Sequence, residues 1–140
     1  MCSAHHFLMS MHLSTKLNGS AKAKIAASLW TILVIVASSV PGSNTPRVSI
    51  LGLEHLDKVV HWIMYGGVVL LWSIALSKAT AREIAFVFVA SICLGVSMEI
   101  LQNNVFVERS FEILDIIANI MGSISGLVLY YKIFKKPKIC

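Results

Sequence analysis

Three short stretches of the sequence place polar and ionisable residues at helical spacing within otherwise apolar sequence. Each set falls on one face of a helix, because residues three or four apart are neighbours on a helix surface. The sets are Asp57, His61 and Tyr65; Glu99 and Gln102; and Asp115 and Asn119, and Lys58 directly follows the first residue of the first set. Carboxylates and an imidazole can exchange protons, and Lys58 together with Arg109 can bind phosphate or carboxylate. These residue types predict either a binding pocket or an acid–base site.

The composition of the chain indicates that these residues belong to a membrane protein. Hydrophobic residues make up 56% of the 140 residues and charged residues only 14%, with a mean hydropathy of +0.78. A soluble domain carries about 25% charged residues, and a disordered chain is poor in large apolar residues. The three cysteines are an odd number and give no disulfide framework. Soluble and disordered proteins are therefore both excluded.

Four apolar segments approach the roughly 20 residues that a helix needs to cross a bilayer. We predict helices over residues 25–40, 59–77, 81–102 and 113–131. Pro41 ends the first segment, and Thr80 with Glu83 forms a capping box at the start of the third. The predicted fold is an all-α integral membrane protein, a bundle of four transmembrane helices with antiparallel sequence neighbours.

The distribution of lysine and arginine predicts the orientation of the bundle. Nine of the twelve basic residues precede the first helix, lie at the short connection between the second and third helices, or follow the fourth. Both tails, residues 1–24 and 132–140, are therefore expected in the cytoplasm around a transmembrane domain of residues 25–131. The net charge of +5 then reflects topology and contact with anionic lipid heads, and no nucleic-acid partner is expected. The polar sets are expected at the extracytoplasmic side of the plasma membrane.

The first helix also has features of a secretory signal peptide. Basic residues, an apolar run and Ala37-Ser38-Ser39 before Pro41 fit that pattern. The long basic region and the proline close to the cleavage point favour a retained helix. Cleavage would leave three helices and would not change the polar face.

The glycines of the third and fourth helices predict close helix packing. Asp115, Asn119, Gly122 and Gly126 form a single stripe on the fourth helix, and Gly95 supplies a small position on the third. Small residues let helices approach each other closely in a membrane. The polar stripe is therefore expected to face the interior of the bundle.

Several of the polar residues also have purely structural interpretations. Asp57 lies at a helix N-terminus, where the helix dipole favours an acid, and Lys58 can extend its ammonium group to the interface. A single histidine such as His61 is commonly a hydrogen-bonded structural residue. Glu99 is harder to explain, because an acid within an apolar run is costly. An ion pair with Arg109 would offset that cost.

Read in order, these motifs resemble the VanZ-like family. The resembling pattern is Asp57-Lys58-x-x-His61-x-x-x-Tyr65, Glu99-x-x-Gln102, Arg109 and Asp115-x-x-x-Asn119-x-x-Gly122-x-x-x-Gly126, within about residues 40–127. Two departures are Trp62, where the family usually has phenylalanine, and residues 103–108, which lack the proline and glycine often found before the arginine. The resemblance implies a small polytopic bacterial membrane protein. The family's namesake is associated with low-level resistance to the glycopeptide teicoplanin.

The first functional hypothesis is a binding module for a lipid headgroup, a cell-wall precursor or a glycopeptide-type ligand. Membrane lipids are the expected partners, and no metal or other cofactor is expected. The sequence leaves the oligomeric state open. The residues assigned to this ligand are Asp57, Lys58, His61, Tyr65, Glu99, Gln102, Arg109, Asp115 and Asn119.

Two alternatives remain open. An enzyme that modifies a membrane lipid would use Asp57, His61, Glu99 and Asp115 as candidate acid–base groups, although the chain has no Gly-x-Ser-x-Gly and no His-Glu-x-x-His motif. In a structural protein, the polar residues would only fix helix packing. A proton-coupled exporter ranks last, because its essential carboxylate would be expected deeper in the bundle.

Overall fold

The structure is a computed structural model of the chain. It describes residues 2–39, 56–76, 80–105 and 112–134, with residues 2–19 described by their backbone alone. The described residues form four helices: α1 Cys2–Ser38, α2 Leu56–Ala75, α3 Ala81–Val105 and α4 Ile113–Phe134. Each contains a segment long and apolar enough to cross a membrane, which in α1 is Ser20–Ser38. The predicted all-α fold with four such helices is confirmed.

The helix bounds differ from the predicted ones mainly in α1. This helix runs back to Cys2 instead of starting at residue 25, because the preceding sequence contains no proline and only one glycine to interrupt it. Helix α2 begins at Leu56, three residues earlier than predicted, so that Asp57 lies in its first turn, where an acid is favourable. Helices α3 and α4 each continue three residues further than predicted.

The capping box predicted at the start of α3 is confirmed. The Thr80 backbone N–H donates to Glu83 Oε2 at 2.7 Å, and the Glu83 N–H donates to Thr80 Oγ1 at 3.3 Å. Each residue thus satisfies a backbone donor of the other, which fixes where α3 begins.

Hydrogen bonds between the helix ends show that the four helices alternate in direction. The Gln102 side chain, late in α3, donates to the Ser38 carbonyl at the end of α1 over 2.6 Å. The Glu112 N–H, just before α4, donates to Glu99 of α3 over 2.8 Å. Lys58, in the first turns of α2, pairs with Asp115 of α4. The last turns of α1 and α3 therefore meet the first turns of α2 and α4, and we call this end of the molecule the polar end.

Helix α2 is the centre of the bundle and packs most extensively against α4, while α1 and α4 make no contact in the described ranges. Glycines bring α2 and α4 to backbone contact. A methyl group added to Gly122 would overlap the Trp62 carbonyl oxygen, and one added to Gly126 would overlap that of Gly66. Such close approach, with Cα–H groups against carbonyl oxygens, stabilises helix pairs in membranes where apolar burial gives little preference.

Helix α1 packs on α2 through aromatic side chains. The Trp30 indole N–H donates to the Met64 carbonyl at 3.0 Å, and the Trp72 N–H donates to Thr31 Oγ1 at the same distance. Gly67 leaves the space that the Trp30 ring occupies. Both bonds come from the middle of the membrane-spanning part of α1, and Ser20 Oγ donates to the Ala75 carbonyl at 3.4 Å near the N-terminal end of that part, so α1 packs mainly on α2.

Candidate functional site

Three carboxylates converge on one ammonium group at the surface of the polar end. Lys58 Nζ lies 2.7 Å from Asp57 Oδ2 and 2.5 Å from Asp115 Oδ1, and it also pairs with Glu112 Oε2. The Asp115 side chain is nearly buried at 7% exposure, whereas those of Asp57 and Glu112 are each 48% exposed. We call these four residues the carboxylate cluster. Counted as ionised groups, its formal charge is −2.

The cluster has the shape of a cation site. One oxygen from each of the three carboxylates lies within 4.8 Å of the others, which is a spacing that a calcium ion with oxygen ligands at 2.3–2.6 Å could bridge. The Lys58 ammonium lies among these oxygens and supplies the positive charge. The geometry therefore gives no reason to place a metal there in the wild-type chain.

A buried polar layer lies beneath the cluster, in the interior between α2, α3 and α4. Its members are Tyr65, Gln102, Glu99, Asn119 and His61, with exposures of 0%, 1%, 2%, 2% and 7%. The imidazole Nδ1 of His61 lies 3.1 Å from Asn119 Oδ1. The His61 and Tyr65 rings, one turn apart on α2, are nearly parallel with centroids 6.4 Å apart. The layer thus joins α2 to α4 by a direct polar contact inside the membrane-spanning part.

The contact with Asn119 determines which His61 nitrogen can serve a ligand. If Nδ1 carries the proton and donates to the Asn119 amide oxygen, Nε2 is left as an acceptor. If the Asn119 amide is flipped so that its NH₂ group donates to Nδ1, Nε2 carries the proton and is a donor. In either case no described residue hydrogen-bonds Nε2. The partner is a neutral amide, so it orients the ring without the negative charge that a catalytic carboxylate provides to a histidine base.

Further donors in the buried layer lack hydrogen-bond partners. Asn119 Nδ2 is buried and has none among the described residues. The Tyr65 hydroxyl lies beside Ser38, but the two form no well-oriented hydrogen bond and both are unsatisfied within the described ranges. Gly95 of α3 lies against this spot, since an added methyl group would come within 2.9 Å of Asn119 Nδ2 and 3.1 Å of the Tyr65 ring. Asn119 Nδ2 and the edge of the Tyr65 ring therefore both lie next to the α3 backbone at Gly95.

Glu99 and Gln102 connect helix ends. Glu99 Oε1 accepts the Glu112 N–H, so a carboxylate from α3 faces the positive end of the α4 dipole. The Gln102 side-chain amide donates a hydrogen bond to the carbonyl of Ser38, the last residue of α1. Each of the two side chains therefore links α3 to the end of another helix at the polar end.

Eight of the nine residues assigned to the ligand from the sequence lie at the polar end, either in the carboxylate cluster or in the buried polar layer. The ninth, Arg109, lies outside the described residues. Sequence reasoning left Glu112 out of the site, although its position just before α4, three residues from Asp115, could have indicated a role. It also missed Ser123, one turn beyond Asn119 on the same stripe, which exchanges a 3.0 Å hydrogen bond with Ser91 of α3.

The fold and the polar end define a class: a small polytopic α-helical membrane protein whose described helices bring ionisable and buried polar residues together at one end. The sequence profile of the VanZ/LLP1 family matches residues 6–135, and the chain belongs to that family. The resemblance inferred from the motifs is thereby confirmed, and it extends to α1. Neither the curated proteins nor the solved structures include a match to this chain.

Proposed function

We propose that the polar end binds the polar head of an amphiphilic molecule of the cell envelope, such as a lipid headgroup, a cell-wall precursor or a glycopeptide-type ligand. The distribution of lysine and arginine supports placing this end on the extracytoplasmic side of the plasma membrane. The same binding would account for tolerance to teicoplanin, should this chain share the association of the family's namesake.

The single observation that carries the proposal is that the buried Nδ2 group of Asn119 has no hydrogen-bond partner among the described residues. Leaving a buried donor without a partner costs about 1–3 kcal/mol, and the cost falls here on a residue at 2% exposure. Ser123, one turn further along the same stripe, is by contrast paired with Ser91. A ligand that accepts from Asn119 Nδ2 and contacts His61 Nε2 would remove this cost.

The charges favour a ligand with a positive group. Lys58 is surrounded by three carboxylates, whose negative charges together exceed its single positive charge. It is therefore poorly placed to attract a phosphate. Two of those carboxylates, Asp57 and Glu112, are half exposed and can accept hydrogen bonds from an ammonium group at about twice the strength of neutral partners. Lys58 then holds the carboxylates in place while the ligand's amine binds at their outer side.

The geometry favours binding over catalysis. The neutral Asn119 partner gives His61 no catalytic carboxylate behind it, and no serine or cysteine among the described residues hydrogen-bonds its ring. Nothing described thus forms the nucleophile–base–orienter arrangement that covalent catalysis requires.

The proposal is tested by ligand-induced stabilisation of the purified protein in detergent. Short-chain phospholipids with ethanolamine or glycerol heads, and separately teicoplanin, are added to wild type, Asn119→Leu and Ser123→Ala. A ligand at 100 times its Kd adds about 2.7 kcal/mol to the free energy of unfolding. We expect the ethanolamine lipid to raise the melting temperature of wild type and Ser123→Ala and to leave Asn119→Leu unchanged.

Ser123→Ala is the matched control, because it alters the same buried stripe one turn away. Equal stabilisation of wild type and Asn119→Leu by every ligand would show that the buried layer does not bind them, and the proposal would fail.

A further inference from the structure

An open groove runs along the outside of the bundle beside the contact between α2 and α4. Its volume is about 390 Å³. Gly66, Gly67 and Gly126 form its floor, and Trp30 of α1, Trp62 of α2 and Leu129 of α4 are among its walls. The groove exists because α1 and α4 both pack on α2 without touching each other. The three glycines have no side chains of their own, so they contribute only backbone to the lining of the groove.

The lining of the groove is apolar because its polar groups are already paired. The Trp30 N–H donates to the Met64 carbonyl at 3.0 Å, and the Trp62 N–H donates to Ser125 Oγ at 3.1 Å. The Ser125 hydroxyl in turn donates to the Met121 carbonyl at 2.8 Å. An occupant therefore finds no free donor here, which suits a hydrocarbon chain and disfavours a polar ligand.

The length of the groove along α2 matches one leaflet of a bilayer. From Trp62 to Leu71 it follows α2 over ten residues, which is about 14 Å at a rise of 1.5 Å per residue. Half of the hydrocarbon core is about 15 Å thick. Lys58 lies one turn before Trp62 on the same face of α2, so the carboxylate cluster is at the level where a lipid in this groove would have its head group.

Charge at the mouth of the groove selects between a lipid and a second copy of the chain. Two copies in one membrane share their orientation, so a pair joined across the groove would bring two clusters of charge −2 to the same depth. The exposed Asp57 and Glu112 carboxylates of the two copies would then repel each other. A lipid whose head group carries an ammonium meets the same carboxylates favourably.

We propose that this groove holds one acyl chain of an aminophospholipid, whose ammonium group lies against the carboxylate cluster. The assignment of the head group rests on the proposed function. The assignment of the acyl chain rests on the groove alone. The site is thus an amphiphile site with separate parts for head and chain, arranged along one face of α2.

The test is native mass spectrometry of the full-length protein after incubation with equal amounts of phosphatidylethanolamine and phosphatidylglycerol with identical acyl chains. Leu129→Trp fills the groove. Val128→Trp is the matched control, because Val128 has nearly the same exposure, 46% against 44%, and does not line the groove. We expect wild type and Val128→Trp to retain the ethanolamine lipid preferentially. Retention by Leu129→Trp should fall about tenfold, the effect of losing about two buried methylenes.

The outcomes separate the two parts of the assignment. If Leu129→Trp retains as much lipid as wild type and still prefers the ethanolamine lipid, the acyl chain does not bind in the groove, and the proposed function remains unaffected. A second outcome is that Leu129→Trp loses lipid while wild type retains the two lipids equally. This result would overturn the preference for an amine head group, and with it the charge argument for the proposed function. A wild-type dimer that Leu129→Trp converts to a monomer would assign the groove to a second copy and overturn the proposal.

Discussion

Replacing Lys58 by methionine removes the one positive charge among three carboxylates and keeps the apolar stem of the side chain. Lys58 is 16% exposed, and its pairs are with Asp57, Glu112 and Asp115. Asp57 and Glu112 are each 48% exposed and can turn toward water, so each exposed pair contributes only about 0.2–1 kcal/mol. Asp115, at 7% exposure, has no such alternative.

The expected loss is therefore dominated by Asp115. Removing one partner of a buried ion pair costs about 3–5 kcal/mol, because the remaining charge stays buried. Since the polar end lies at the helix ends and water reaches part of the cluster, we expect Lys58→Met to lower the free energy of unfolding by about 3 kcal/mol, the lower end of that range. Neutralising Asp115 as well should recover most of the loss in the double variant Lys58→Met/Asp115→Asn.

The measurement is equilibrium unfolding in mixed detergent micelles, followed by circular dichroism, for wild type, both single variants and the double variant. Calcium provides a second readout. Because the oxygens of the three carboxylates lie within 4.8 Å of one another, the cluster without its lysine should bind calcium. Millimolar calcium should stabilise Lys58→Met and leave wild type unchanged. A loss below about 0.5 kcal/mol, the usual range for surface substitutions, would refute this description of the cluster, as would a calcium effect of equal size on both proteins.

Two further predictions concern helix packing. Gly122→Ala should lower the free energy of unfolding by at least about 2 kcal/mol, because the added methyl meets a backbone carbonyl of α2 that cannot move aside. Thermal unfolding measures this loss, and Met121→Ala, a change on the exposed side of the same helix, is the control. Gln102→Leu should cost about 1–3 kcal/mol, since it leaves the Ser38 carbonyl without its buried donor. Its effect should appear as faster hydrogen exchange at the end of α1, and unchanged exchange there would contradict the assigned contact.

The sequence predicted well those features that depend on one helix at a time. The capping box at Thr80 and Glu83 was correct, because both residues belong to the same turn and satisfy each other. The alignment of Asp115 with Asn119 on one buried face also follows from spacing alone, and both side chains are buried. Predictions of this kind need only the geometry of a helix.

The roles of individual charges could not be predicted in the same way. Lys58 was expected to bind an anionic ligand or to reach the interface, yet it pairs with three carboxylates, two of them more than fifty residues away in the sequence. Glu99 accepts the backbone N–H of Glu112 across a helix boundary. Such pairings depend on how far neighbouring helices are shifted along each other, and hydropathy carries no information about that shift.

The sequence by itself determined the number of helices, the part of each that can lie in a membrane and the family to which the chain belongs. It did so because each charged side chain and each unpaired backbone polar group costs free energy when it leaves water, wherever its segment packs. Apolar helices are therefore recognisable from the sequence alone. Only the tertiary structure decided that α2 and α4 form the closest pair, that their first turns assemble the carboxylate cluster, and that a groove is left between α1 and α4. All four helices are apolar enough to cross a membrane, so apolar burial gives little preference among partners. Contact between the glycine backbones of α2 and α4 provides that preference.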